Sequence, residues 1–309
     1  MKQQGTPEKT IPTTATYKRL QIDFRIWLET LGYSKSTVYS APRMTGEFLC
    51  WMERKKLQEV KEIRQQLVDD FMVYFQYRSN EVTGGGLSTG HINKQITSLQ
   101  YFFKYLQATQ NIRLGIVLRQ LKKDEFISRI VLSKEEIQEL YRATDNSLIG
   151  IRDRAMLSIY YGCGLRRSEG INLEVSDVLF ERRLLYVRKA KNGYERYVPM
   201  NVRCMQDLES YIYTARPMLI DTTKECETLF ISVRGKPIDS QSFKCRLEVL
   251  KEKSGNTQLK NKHFGLHALR HSIATHLLEA GINLENVALF LGHKTLDSTQ
   301  IYTHLINEK

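Results

Sequence analysis

The sequence predicts a mostly helical protein of two domains, with a small β-sheet confined to the second. Three observations carry this. The chain has 309 residues, and at roughly 100–200 residues per domain that length suggests two. Apolar residues recur at helical spacing through the first hundred residues with almost no strand pattern. Two short β-rich runs, 184–188 and 195–199, then flank an Asn192-Gly193 turn and read as one hairpin.

Residues 1–15 read as a flexible lead. The first helix follows from Leu20, Phe24, Trp27, Leu28 and Leu31, with Gly32 as its stop. A second surrounds Phe48, Leu49 and Trp51. A third carries Leu67, Phe71, Tyr74 and Phe75. The fourth follows Ser88, with Ile92, Ile96, Leu99, Phe102, Phe103 and Leu106 on its apolar side. These four helices define a small helical domain over 16–108. Gly84 to Gly86 separate helices three and four. No preceding strand and no following Gly-Lys-Ser/Thr accompany them, so they read as a turn and not as a phosphate cradle.

Residues 109–130, with Arg113, Arg119, Lys122, Lys123 and Arg129, read as a basic linker. Ser133 and Glu136 form a capping box that opens the second domain, 131–309. There, helices are expected over 152–162, 166–173, 202–215, 239–252, 267–280 and 284–291. Gly281 and Gly292 close the last two.

Composition narrows the function. With 46 Lys+Arg against 34 Asp+Glu, the net charge is +12. Residues 1–130 carry +8 of it and residues 131–309 carry +4. A basic excess of this size suits a polyanionic partner, most simply nucleic acid. The sequence has no run of ~18 uncharged apolar residues, the length a membrane-spanning helix needs, so no membrane role is expected. The polar start lacks an apolar signal core. Five scattered cysteines with no Cys-x-x-Cys suit reduced thiols in a cytoplasm.

Four local signatures fall in the second domain. They are YYGCGLRRSEGINL with Arg166 and Glu169, RKAKNGYERYVPM with Lys191, HALRH with His267 and Arg270, and LGHKTLDSTQIYTH with His293 and Tyr302. Each is weak alone. His267 and His271, four residues apart, lack the acidic neighbours of a zinc helix, so no metal is expected.

In this order the signatures resemble those of the tyrosine recombinases, the phage integrases and Xer-type site-specific recombinases. The step of 23 residues from Arg270 to His293 and nine more to Tyr302 is similar to the Xer-type pattern. The resemblance implies a SAM-like core-binding domain followed by an α+β catalytic domain. It implies cleavage and rejoining of double-stranded DNA through a 3′-phosphotyrosyl intermediate and a Holliday junction, with no cofactor.

The residue types suit that chemistry. Arg166 and Arg270 can fork onto non-bridging phosphate oxygens in place of metal ions. His293 would add a hydrogen bond. Tyr302, a phenol of ordinary pKa about 10, would be the nucleophile. His267 would accept its proton, and Lys191 would protonate the departing 5′ oxygen. Lys189 lies two residues away, and the choice of Lys191 rests on the resemblance. Glu169, three residues after Arg166, would orient an arginine or histidine of the site.

Strand exchange between two duplexes implies a homotetramer on DNA, from a monomer or weak dimer when free, with an accessory DNA-bending protein as a further partner. Only seven residues follow Tyr302. The exchanged terminal helix common in the family is therefore expected to be truncated or absent. Two alternatives share parts of the pattern. One is a type IB topoisomerase-like relaxase, which would not exchange strands. The other is a silent DNA-binding regulator, which would have lost part of the polar set.

Overall fold

The computed structural model describes residues 10–80, 84–122, 130–188, 195–221 and 226–292. The chain divides into two compact units, 1–127 and 128–309. The architecture is mostly helical, with a small three-stranded antiparallel sheet.

In the first unit, α1 (Ala15–Thr30), α2 (Lys35–Arg54), α3 (Gln65–Tyr77) and α4 (Thr89–Gln110) enclose an aromatic core. Phe24, Phe48, Phe71, Phe75 and Phe102 are fully buried in it. Burying each such ring removes water from enough apolar surface to contribute ~1.5–3 kcal/mol. Edge-on packing, as between Phe24 and Phe102 at 5.4 Å, also fixes ring orientation. Ser34 and Ser88 cap α2 and α4 through the amides of Thr37 and His91. Gly84 and Gly85 both hold positive φ, and the Gly84 amide bonds the Asn80 carbonyl, as a tight turn requires.

One expectation needs correction. Residues 10–14 are not a loose lead. The Glu53 carboxylate accepts bonds from the amides and hydroxyls of Thr13 and Thr14, and Gln21 holds the Thr10 carbonyl. Residues 112–121, within the expected basic linker 109–130, are ordered on the first unit. Ile112, Leu114, Ile116 and Leu118 pack on the first unit's core. Amide side chains clip this extended segment in place. Asn93 bonds both the N–H and the C=O of Leu121, at 2.8 Å each, and Gln65 does the same to Val117. Each clip satisfies a backbone donor and acceptor that no sheet partner would otherwise pair.

The second unit opens with the Ser133–Glu136 capping box, which begins α5 (Lys134–Arg142). After α6 (Leu148–Leu157), a π-helical stretch over Ser158–Gly162 leads to α7 (Arg167–Ile171). The sheet follows: β1 (Val178–Leu179), β2 (Leu184–Val187) and β3 (Arg196–Pro199), in that order. The hairpin expected from the sequence is the β2–β3 pair, in register from Leu184↔Pro199 to Val187↔Arg196. Next come α8 (Val202–Ser210), a second π-helical stretch over Tyr211–Ala215, α9 (Arg216–Leu219), α10 (Ser240–Lys253) and α11 (Thr257–Asn261). The described residues end with α12 (Leu266–Glu279) and α13 (Leu284–Leu291). The core runs from Leu140 and Ile159 through Leu185, Val198 and Tyr211 to Phe230, Phe243 and Leu269. Ala274 and Leu278 of α12 pack on Val287 and Leu291 of α13.

Among the described residues no helix is long and apolar enough to cross a membrane, and all five cysteines are free thiols.

One buried bond ties the start of this unit to α12. The Leu132 amide donates to Ser272 Oγ at 2.8 Å, and that hydroxyl donates to the Ala268 carbonyl. Ser272→Ala strands the buried amide. We expect it to destabilise the protein by ~1–3 kcal/mol, measured by denaturant unfolding, whereas an exposed control such as Ser168→Ala stays within ~0.5 kcal/mol.

Candidate active site around Glu169

The chain enters the site through a sharp corner. The π-helical stretch ends at Gly162, and Gly164 adopts φ +60°, where a Cβ would lie 2.9 Å from Leu291 and Phe290. Only glycine both accepts that backbone and allows α13 so close. Leu165 is buried, and Arg166 stands in extended conformation at the start of α7. Gly170, on the far side of α7, lets the Tyr160 ring approach to 2.7 Å of where a Cβ would be.

Glu169 is the centre of the arrangement, with its side chain only 1% exposed. Its Oε2 accepts from the Arg166 amide at 2.8 Å, and its Oε1 from Arg166 Nη1 at 2.8 Å. Arg196 of β3 forks onto the same carboxylate, Nη1 to Oε1 at 3.1 Å and Nη2 to Oε2 at 3.0 Å. Arg270 Nη1 of α12 lies 3.9 Å from Oε2. Burial by itself raises a carboxyl pKa. Here the hydrogen bonds and charge of Arg196, followed by the bonds from Arg166, prevail and hold Glu169 down at about 2.

The three guanidiniums share a second anchor. Arg196 Nε donates to the Phe290 carbonyl at 3.1 Å, Arg270 Nη2 to Leu291 at 2.7 Å, and Arg166 Nη2 to Gly292 at 2.8 Å. These are consecutive carbonyls at the C-terminal end of α13, where the helix dipole presents partial negative charge. Gly292 closes that helix in left-handed conformation, φ +65°, and a Cβ there would meet the Arg196 guanidinium at 2.7 Å. Arg270 also donates to the Gly164 carbonyl at 2.6 Å. The result is three fixed cations around one carboxylate. Arg270 and Arg196 are largely buried, at 5% and 9% exposure, and Arg166 reaches water at 27%.

The structure thus brings Arg166, Glu169 and Arg270 together. His267 lies one helical turn before Arg270 on α12 and is exposed, with its ring 6.1 Å from that of His271. His276, further along, is buried against the Tyr161 hydroxyl at 2.9 Å. Lys191, His293 and Tyr302 lie outside the described residues. The sequence reading missed Arg196. Its signal was present: Arg196 and Val198 alternate with Tyr197 and Pro199, so an arginine shares the core-facing side of a strand, where it needs a carboxylate.

Because the folded Glu169 pKa is depressed from its ordinary 4.5, its contribution to stability is present at neutral pH. That contribution fades as pH falls from about 4.5 towards about 2. Glu169→Gln leaves the arginines without their counter-charge, and we expect a loss of ~3 kcal/mol at pH 7. In urea melts across pH 7 to 2.5, the gap between wild type and variant should narrow below about 4.5. A gap that stays constant would contradict the pairing.

Residues 131–309 match the phage integrase family. The chain is 32% identical over 278 residues to tyrosine recombinase XerC 2 of Ralstonia nicotianae, covering 89% of this chain and 78% of that protein. It is 32% identical over 281 residues to tyrosine recombinase XerC of Bacillus subtilis, covering 90% and 88%. The fold is similar to that of the XerH site-specific recombinase bound to its difH substrate, with TM-score 0.69, 19% identity and 97% and 89% of the two chains covered. It is also similar to the Tn1549 transposon integrase in complex with transposon right end DNA, with TM-score 0.71, 18% identity and 92% and 94% covered. A family match across most of the second unit, joined to relatives aligned over nearly the whole chain, makes this protein a member of the tyrosine recombinase family.

Proposed function

We propose that the protein is a site-specific DNA recombinase that cuts and rejoins double-stranded DNA through Tyr302. The observation that supports this most is the arginine cluster on Glu169. Two guanidiniums the family pattern assigns to phosphate, Arg166 and Arg270, hang on the same helix end, and His293 follows it directly in sequence.

In this reading a scissile phosphate docks against Arg166 and Arg270, whose fixed N–H groups meet charge that grows on the non-bridging oxygens. His293 adds a further donor. The Tyr302 phenolic oxygen attacks phosphorus and gives its proton to His267. The bond from phosphorus to the 5′ oxygen breaks, and Lys191 supplies the proton that makes the 5′-hydroxyl. The 3′-phosphotyrosyl link retains the energy of the broken bond, so a 5′-hydroxyl reverses the step with no external energy source or cofactor. Attack by the partner duplex's hydroxyl gives a Holliday junction, and completing the exchange takes four protomers on two duplexes. The same chemistry serves integration, excision or inversion of DNA, with or without a DNA-bending protein. Free thiols in both units suit a cytoplasmic setting.

The test is covalent trapping on a nicked suicide site. Wild type should form a protein–DNA adduct. Tyr302→Phe should bind the site equally and form none, and an adduct in that variant would refute the nucleophile. Arg166→Lys and Arg270→Lys should slow adduct formation ~10²–10³-fold while most of the DNA affinity remains. Two cognate sites should yield recombinant product. Relaxation of any supercoiled plasmid without recombinants would identify a topoisomerase-like relaxase instead, and binding without adduct in wild type would identify a silent regulator.

A further inference from the structure

We propose that Arg196 is a positioning residue that neutralises Glu169, so that this carboxylate orients Arg166 without drawing the charge of Arg166 and Arg270 away from the phosphate. This deepens the reading of those two arginines given above and rests on it. The carboxylate sets a conflict. It holds Arg166 through two bonds and lies 3.9 Å from Arg270. An anion at that range competes with the phosphate for the same guanidiniums, and its burial at 1% exposure strengthens the competition.

Arg196 is built to settle that conflict and not to bind phosphate itself. Each of its three nitrogens faces a protein acceptor: Nε the Phe290 carbonyl, Nη1 and Nη2 the two oxygens of Glu169. Its planar fork covers both carboxylate oxygens, whereas the Arg166 side chain meets only Oε1. Arg196 is also 9% exposed against 27% for Arg166, so Arg166 is the group that stays within reach of an incoming anion. Burial raises the Glu169 pKa, and Arg196 comes first among the groups that lower it. Three guanidiniums and one carboxylate leave the cluster a net charge of +2. With Arg196 paired to Glu169, that charge resides on Arg166 and Arg270. A phosphodiester gains negative charge as the nucleophile adds, and fixed positive charge opposite it stabilises the transition state most. Loss of Arg196 would leave +1 and turn Glu169 against the phosphate.

The experiment uses the full chain and reads the single-turnover rate of adduct formation on the suicide site, beside DNA affinity. Arg196→Gln keeps an amide donor for Glu169 but removes the charge. It should cleave ~10²-fold slower than wild type, with DNA affinity within about threefold, because most phosphate contacts lie elsewhere. Arg196→Lys keeps the charge and loses the fork, and it should stay within about tenfold of wild type. The decisive variant is Arg196→Gln combined with Glu169→Gln. It restores the net charge of the cluster, and the glutamine carbonyl at 169 still accepts from Arg166. We expect it to cleave within about tenfold of wild type. It buries no unpaired carboxylate, so it tests the charge balance even where Arg196→Gln alone fails to fold. With wild type active, three results each overturn the inference alone: wild-type cleavage by Arg196→Gln, an Arg196→Lys rate as low as that of Arg196→Gln, or a folded double variant still ~10²-fold slow. A wild type that binds the site and forms no adduct instead overturns the reading of the arginines as phosphate ligands, and the inference with it.

Discussion

A single buried carboxylate organises the second unit. Taking the Glu169 carboxylate out of water would cost several kcal/mol without partners. Two bonds from Arg166 and a fork from Arg196 offset that cost. The converse holds for the arginines. Three guanidiniums within reach of one another repel in a medium less polar than water. They coexist because Glu169 and three helix-end carbonyls lie among them. Neither set of charges is stable there without the other, so α7, β3, α12 and α13 must assemble together.

The helix end is the second half of the device. The last carbonyls of a helix have no partner within it and must find donors elsewhere. In α13 they find Arg196, Arg270 and Arg166, one each, from three different elements. The close approach depends on two glycines with positive φ. Gly164 lets the corner before Arg166 pack on α13, and Gly292 ends α13 without striking Arg196. Donors held in this way need little rearrangement when an anion binds, which is the condition under which fixed dipoles and charges stabilise developing charge most.

The first unit solves a different problem with humbler means. Its aromatic core is local in sequence and was legible from spacing alone: Phe24, Phe71 and Phe102 are buried where the periodicity put them. The segments before and after the four helices were not. Residues 10–14 and 112–121 carry no helical or strand pattern, and they read as part of a flexible lead and of a basic linker. They are ordered by side chains distant in sequence, Glu53, Gln65 and Asn93. A clip between a lone amide side chain and an extended backbone leaves no periodic trace, so no window-based reading finds it.

Much of the protein was decided by local chemistry and so could be read from its amino acids. Helix faces, the Ser133–Glu136 cap, the β2 and β3 strands and the glycine stops each arise within a few residues. The pairing of Arg166 with Glu169 is also local, since three residues make one helical turn. The role of Arg196, the 3.9 Å approach of Arg270 to Glu169 and the convergence of three guanidiniums on one helix end belong to the tertiary structure alone. A buried charge is satisfied by whatever opposite charge the fold brings to it. Which one arrives depends on packing among elements far apart in the chain, and spacing along the sequence carries no record of that distance in space.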